Sequence, residues 1–455
     1  MFSDTIAAIS TPFAQGGIGI IRISGVDAKK VASKVFRSIA GKDIEKLAGY
    51  TALFGFVFDS SGEFDEAILL NFNKPRSYTG EDVVEISVHS GLYILKRVLR
   101  AALNAGARLA EEGEFTKRAF LNGKLSLTQA ESVMDLISAQ SGQAVNAALN
   151  LKKGIVFKEI SEIINTLVKI DAHISAWVDY PEEDIIDIDK NDILKSILDI
   201  KSNLVTLADT FDISRILKGG INTAIIGKPN VGKSTLMNLL SGTNKSIVTD
   251  IPGTTRDVIE ENILLDDIVL NLFDTAGLRE TSDIVEQHGV CLAKEKIKEA
   301  DIILAVFDNS REFDEQDEVI LKEVHNKKTI AVINKIDLPS KLNCNKILEK
   351  IKNTVAVDSY SIKTKVIIAN KIKQVLNIEH LDSSTMIISN ERQLQCIRSA
   401  INSIENIINT VNSGYMFDAI SVDIESTIDK LMELTGEKVS ESVVNQVFKN
   451  FCVGK

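Results

Sequence analysis

Residues 221–240 read Ile221-Asn-Thr-Ala-Ile-Ile-Gly-Lys-Pro-Asn-Val-Gly-Lys-Ser-Thr-Leu-Met-Asn-Leu-Leu240. An apolar run, a glycine-bearing turn and a helical pattern follow one another, the context that gives a short phosphate motif structural meaning. Gly227 and Gly232 leave backbone N–H groups able to curl around a phosphate chain. Lys233 carries a point charge to the outer phosphates, and the Ser234 hydroxyl suits Mg²⁺. With Asn230, Val231 and Thr235 completing the turn, the stretch predicts a nucleoside triphosphate site on a P-loop domain of α/β type.

Later segments address the base. Asn334, Lys335, Ile336 and Asp337 follow the apolar run Thr329-Ile-Ala-Val-Ile333. A carboxylate only accepts hydrogen bonds, so Asp337 can take both the ring N–H and the exocyclic amine of guanine, a pair adenine does not offer. Asp274, Thr275, Ala276 and Gly277 close another apolar run, Ile268-Val-Leu-Asn-Leu-Phe273. There a carboxylate can hold a Mg²⁺-bound water and a glycine N–H can sense the γ-phosphate. Thr254, Thr255 and Arg256 lie where a first switch loop belongs, with Thr255 a second hydroxyl for Mg²⁺. Ser361, Ile362 and Lys363 stand where the last base-contacting loop is expected, with isoleucine in place of the usual alanine and no glycine after them.

The hydrolytic apparatus is unusual. Where many GTPases carry a water-orienting glutamine, this chain has Leu278, and no arginine finger is evident in cis. Such a finger is worth roughly 10³–10⁵ in rate. The side-chain carbonyl of Asn230, joined by several backbone carbonyls of the GTP-contacting segment Thr249, Asp250, Ile251, Pro252, Gly253, Thr254 and Thr255, can form an oxygen cage for a large monovalent cation. A cation beside the β- and γ-phosphates would do the electrostatic work of a finger.

Length and composition bound the rest. At 455 residues the chain is expected to hold about three domains. Fifty-two Lys and Arg against 63 Asp and Glu give a net charge of −11, which argues against a broad basic nucleic-acid surface. Cys291, Cys344, Cys396 and Cys452 show no pairing or metal spacing, consistent with a reducing cytoplasm. No apolar stretch is long enough to span a bilayer, and the start carries Asp4 and Pro12 without a basic leader. A cytoplasmic location without membrane partners is expected.

Periodicity orders the chain as a multidomain α/β plus α+β protein. Residues 1–119 alternate strand runs (Gly19–Ile23, Glu66–Leu70, Val83–Val88) with helical ones (Ala28–Ile39, Leu92–Asn104). Gly16-Gly-Ile-Gly19 fails the dinucleotide fingerprint and reads as a hairpin turn. Residues 120–217 are helical, with Ile160, Ile163, Leu167, Ile170, Ile174 and Trp177 on one stripe. A Ras-like P-loop GTPase domain is expected over 218–376. Helical spacing resumes over 377–455, with Leu394, Ile397, Ile401, Ile404, Ile408 and Val411 in register. Neither stripe is covered by its own segment, so the two are expected to pack together as one discontinuous helical domain interrupted by the GTPase domain.

Together these motifs carry a specific resemblance. Thr249-Asp-Ile-Pro-Gly-Thr-Thr-Arg-Asp257, Asp274-Thr-Ala-Gly-Leu-Arg279, Ser77-Tyr-Thr-Gly-Glu-Asp82, Phe115-Thr-Lys-Arg-Ala-Phe-Leu-Asn-Gly-Lys124 and Phe451-Cys-Val-Gly-Lys455 resemble the MnmE (TrmE) family of tRNA-modification GTPases from one end to the other. The resemblance implies K⁺ held by Asn230 with the carbonyls of Thr249, Ile251 and Thr254, and Mg²⁺ held by Ser234 and Thr255. It gives Glu286 the role of orienting the hydrolytic water. It makes residues 1–119 a tetrahydrofolate-binding-like and dimerisation domain, with Arg22, Glu85, Lys124 and Lys455 contacting a 5-formyl- or methylene-tetrahydrofolate. Cys452 lies in the family's terminal motif and enters as a reactive thiolate.

The resemblance further implies a homodimer working with an FAD-dependent MnmG (GidA) family protein, as a heterotetramer or larger. Together they would add an aminomethyl or carboxymethylaminomethyl group at C5 of a tRNA wobble uridine. A ribosome-assembly GTPase switch is the alternative. It would normally need an appended RNA-binding module, and neither an RRM signature nor a Gly-x-x-Gly loop follows the GTPase domain. A membrane-linked regulatory GTPase is disfavoured by the lack of a basic amphipathic or lipidation signal.

Overall fold

A computed structural model describes residues 3–179, 190–242, 260–274, 298–378, 386–413, 417–449 and 451–455. Thr249, Asp250, Ile251, Pro252, Gly253, Thr254, Thr255, Thr275, Ala276, Gly277 and Glu286 lie outside the described residues. The chain divides into two compact units, one of Met1–Met134, Lys152–Lys201 and Gln395–Lys455, the other of Asp135–Leu151 and Ser202–Leu394.

In the first unit, β1 (Ile6–Ile9), β2 (Gly16–Ser24), β3 (Phe36–Ser38), β4 (Thr51–Asp59), β5 (Gly62–Phe72), β6 (Val83–Ser90) and β7 (Arg108–Leu109) form one sheet in the order β3-β4-β5-β6-β2-β1-β7. Side chains alternate across it. Ile21, Ile23, Leu69 and Ile86 point to the face that helix Leu92–Asn104 covers with Leu95 and Val98. On the other face, helix Glu114–Leu121 seats Phe115 over Ile6 and Ala8. That cover does not extend to β4 and β5, where Phe54 and Ile68 pair across strands and stay about half exposed.

The helix expected over Ala28–Ile39 ends at Ser33, because Phe36 to Ser38 pair with Gly55 to Val57 and bury Phe36 in the sheet core. Gly16 to Gly19 are not a hairpin turn but the start of β2, paired to β6 through a register irregularity.

Helix Ile155–Asp179 buries Ile160, Ile163, Leu167 and Ile174, while Trp177 stays exposed. Helix Phe417–Thr435 packs against it, with Ser421 Oγ donating to Asp171 Oδ1. In helix Glu391–Ser413 the buried stripe runs Leu394, Ile397, Ala400, Ile404 and Ile407, while the expected Ile401, Ile408 and Val411 are only half-buried. Lys201 reaches Glu405 at 2.9 Å. Segments on either side of the intervening GTPase sequence thus meet in one packed region.

The Ser77–Asp82 and Phe115–Lys124 motifs build a buried ion network. Arg118 is fully buried and donates to Asp4 Oδ1 (2.8 Å), Glu114 Oε1 (2.9 Å), Glu81 (3.3 Å) and the Asp4 carbonyl (3.1 Å). Arg108 bonds Asp4 (2.7 Å) and Glu114 (2.6 Å). Burial alone would raise the Asp4 and Glu114 carboxyls, yet bonds from Arg108 and Arg118 outweigh it and hold both below their usual range.

In the second unit, β8 (Ile221–Gly227), β9 (Glu260–Leu265), β10 (Ile268–Asp274), β11 (Ile302–Asp308), β12 (Thr329–Asn334) and β13 (Thr354–Ala356) lie in the order β13-β12-β11-β8-β10-β9. Every neighbouring pair is parallel except β9 with β10. Every residue of β11 and β12 is buried, as expected for parallel strands covered on both faces. The chain crosses from β8 to β10 on one side and from β10 to β11 on the other. The carboxyl end of β8 is therefore the switch point where α/β sheets hold ligands.

Candidate functional site

At that switch point the turn after β8 leads into helix Lys233–Ser241, with Gly232 in the left-handed region at its N-cap (φ +99°). Val231 is fully buried and anchors the turn to the core. Asn230 has φ +66° and is exposed, Ser234 is exposed on the first helical turn, and Thr235 is half-buried. Lys233 Nζ donates to the carbonyls of Gly227 (2.6 Å) and Lys228 (2.8 Å), which shapes the turn around its own ammonium.

Two strands away, the end of β12 braces this turn. Asn334 is buried, and its Nδ2 donates to Val231 O at 2.8 Å. Lys335, itself at φ +61°, donates through Nζ to Asn230 O (2.8 Å) and to Asp308 Oδ2 (2.6 Å) at the end of β11. Ile336 and Asp337 then emerge into solvent, leaving the Asp337 carboxylate open to a ligand. Asp274 ends β10, in register with Ile225 of the neighbouring β8. The turn after β8, residues 334–337, Asp308 and the backbone of Asp274 thus gather at the carboxyl ends of the central strands.

Three contributors escaped the sequence reading. Ser359 supplies the hydroxyl and N–H that meet Asn334 Oδ1 (2.7 and 3.2 Å). Ser361, two residues on, caps back to Asp358, Ile362 is 78% exposed, and Lys363 opens helix Lys363–Val375. Asp308, held below the usual carboxylate range because Lys335 and Ser310 outweigh its burial, fixes the base-loop lysine. Its signal was a carboxylate ending a seven-residue apolar strand. Lys228, buried beside Asp317 (2.7 Å) and Asp314 (2.9 Å), ties the turn to helix Glu315–Glu323. Burial would depress this ammonium, but the two carboxylates raise it. No local pattern announces that pairing.

A second cluster lies in the other unit. Arg22 and Glu85 are direct cross-strand partners on β2 and β6, bonded Nε to Oε1 at 2.8 Å. The Arg22 guanidinium sits 5.3 Å from the Tyr78 ring and 5.5 Å from Phe115. The C-terminal segment returns here: Gly454 O accepts from Ser10 Oγ (3.0 Å) and Arg22 Nη1 (3.3 Å), and Lys455 O accepts from Phe115 N (3.1 Å). Gly454 adopts φ +95°, and a Cβ there would meet Ile9 O at 2.3 Å, so only glycine lets the segment lie this close. Burial and the Arg22 charge lower the Lys455 ammonium. The charges of Arg22, Lys152 and Lys455 all act here, with the Glu85 carboxylate opposing them. Cys452 is exposed, its carbonyl accepting from Gly113 N (3.4 Å). Lys124 reaches a different partner, Pro75 O, at 3.1 Å.

Residues 5–124 match the family model described as GTP-binding protein TrmE N-terminus, and residues 127–452 match the MnmE helical domain. The chain is 41% identical over 455 residues to the tRNA modification GTPase MnmE of Clostridioides difficile, covering 99% of each chain. To the tRNA modification GTPase MnmE of Acetivibrio thermocellus it is 42% identical over 458 residues, again covering 99% of each. The chain belongs to the MnmE (TrmE) family of tRNA modification GTPases. Among solved structures, Aquifex aeolicus Era bound to GDP and AlF₄⁻ is 31% identical over 40% of this chain and 65% of that chain, with a TM-score of 0.27. The MnmE helical match brackets the whole six-stranded sheet, from Ile221 to Ala356, in agreement with helices that flank it in sequence. Among the described residues no helix is long and apolar enough to cross a membrane.

Proposed function

We propose that this chain is the GTP-hydrolysing subunit of the complex that modifies C5 of the tRNA wobble uridine, adding an aminomethyl or carboxymethylaminomethyl group with carbon from a methylene-tetrahydrofolate. The observation that carries the reading is the phosphate turn braced by Asn334 and Lys335 inside a chain that matches an MnmE relative over 99% of both chains. Lys233 and the N–H groups opening helix Lys233–Ser241 hold the phosphates of GTP. Ser234 and Thr255 hold Mg²⁺, which supplies charge neutralisation on the phosphates, and the placement of Ser234 at the turn fits that role. Asp337 accepts the two donors of guanine.

Asn230 with the carbonyls of Thr249, Ile251 and Thr254 holds K⁺, and Glu286 orients water. K⁺ then supplies the positive charge that a finger would. Hydrolysis is expected to run about tenfold or more faster in KCl than in NaCl at equal ionic strength. Equal steady-state rates in the two salts would rule the cation out.

Residues 1–119 bind the folate and dimerise, the helical domain comprises 120–217 and 377–455, and the GTPase domain comprises 218–376. Glu85 offers paired acceptors to a pterin's amine and ring N–H, while Arg22, Lys455 and Lys124 suit the glutamate-tail carboxylates. The MnmG family partner supplies flavin chemistry, and the complex works in the cytoplasm.

Mass spectrometry of tRNA nucleosides from cells lacking the protein tests the reading. Aminomethyl-type wobble uridines should vanish and return with the wild-type chain. Asp274→Ala, Glu85→Gln and Cys452→Ser should each fail to restore them, and only the first should lose GTP hydrolysis. Unchanged nucleosides in the deletion strain would reject wobble modification in favour of a ribosome-assembly switch.

A further inference from the structure

On the helix-covered face of the seven-stranded sheet, away from Arg22 and Glu85, helix Leu92–Asn104 and the turn after β4 enclose a groove of about 830 Å³. Lys34, Lys96, Arg97 and Arg100 line it, against one carboxylate, Asp59. The chain as a whole carries more acidic than basic residues, so four cations to one anion is a local reversal of its charge.

The groove is built rather than merely charged. Asp59 grips Arg97 through two bonds (Oδ2 to Nε 2.7 Å, Oδ1 to Nη2 2.9 Å), and the guanidinium lies 4.1 Å from the Phe64 ring. That pair sets the plane of Arg97 and holds the Asp59 carboxyl down to about 2. Lys34 Nζ is held by Ala105 O at 3.1 Å, and the Lys96 ammonium stands 5.2 Å from the Phe13 ring. Arg100 is exposed and, among the described residues, has no hydrogen-bond or ion-pair partner. Tyr93, 74% exposed, precedes Lys96, Arg97 and Arg100 by three, four and seven residues, which puts all four on one helix face.

Cations at fixed positions beside a presented aromatic ring are the chemistry that reads a nucleic-acid strand: charge follows the phosphates and the ring stacks on an unpaired base. We propose that this groove docks a segment of the substrate RNA backbone, with Arg100 and Lys96 on phosphates and Tyr93 against a base. The proposal rests on the tRNA reading above and names where the tRNA is held. It also explains how a chain of net charge −11 can bind RNA without a broad basic surface.

Fluorescence anisotropy of labelled tRNA with the full-length chain, titrated from low to high salt, tests it. The double variant Lys96→Ala/Arg100→Ala should lower affinity about tenfold or more and make the slope of log K against log salt shallower by about 1.5–2. Tyr93→Ala should weaken binding with the slope kept, and GTP hydrolysis should be unchanged in all variants. Wild-type affinity and slope in the double variant would overturn the groove, as would a wild-type chain that binds no tRNA. Equal competition by polyglutamate would also overturn it, pointing to an acidic protein partner instead. Nucleoside analysis of the deletion strain judges the modification reading separately, because it does not involve the groove variants.

Discussion

Gly232→Ala is expected to remove GTP binding from a chain that still folds. Gly232 sits at φ +99°, and a Cβ built there lies 2.3 Å from Asn334 Nδ2. The left-handed backbone costs a side chain roughly 1–2 kcal/mol. The overlap adds more, because Asn334 cannot step aside: its Nδ2 is bonded to Val231 O and its Oδ1 to Ser359. Relief requires the turn after β8 or the end of β12 to move, and either movement separates the proposed phosphate-binding and base-binding halves of the site. Isothermal titration with GTP should show affinity lower by about a hundredfold or more, near 2.7 kcal/mol. Circular dichroism should report unchanged helix and sheet content. Wild-type affinity would mean that the Asn334 brace is dispensable.

Arg118→Met should destabilise the first unit by about 3–5 kcal/mol, the usual cost of orphaning a buried charge partner. The guanidinium is fully buried and bonds three carboxylates and a carbonyl. Glu114 and Glu81 are 7% and 13% exposed and carry most of the cost; Asp4, at 41%, is screened by solvent and contributes less. The sign of the pH effect follows from the lowered carboxyls of Asp4 and Glu114, whose ordinary values are 3.8 and 4.5. A depressed acid stabilises the fold fully above its unfolded value and loses that contribution as pH falls through its folded value. Urea unfolding at pH 7 should therefore separate variant from wild type widely. The gap should shrink below about pH 4. A gap constant from pH 7 down to pH 3 would reject the electrostatic account and leave only lost packing.

Much of the fold was legible locally. The strand, turn and helix around Gly227 to Ser234 follow from a run of apolar residues, two glycines and a helical pattern inside twenty positions. The family could be recognised because its motifs are short and contiguous. Helix Leu92–Asn104 was bounded correctly by its own period. Reading failed where a local pattern admitted two answers. Residues 34–39 continue a helical period, but Phe36 is claimed by β4. Ser361 stands in a motif-like tetrapeptide, but Ser359 holds Asn334, since the turn after β13 sets which hydroxyl faces the base loop.

The sequence by itself determined the strand, turn and helix around Gly227 to Ser234, the family and the alternation of strands and helices, because periodicity, turn chemistry and backbone freedom act among residues a few positions apart. Only the tertiary structure decided the pairings. Arg22 meets Glu85 from 63 residues away and Gly454 from 432, Arg118 meets Asp4 from 114, and Asn334 meets Val231 from 103. Such contacts depend on strand register and on the order in which strands enter a sheet. Those are set by the summed burial of whole faces, and no short stretch of sequence carries that sum.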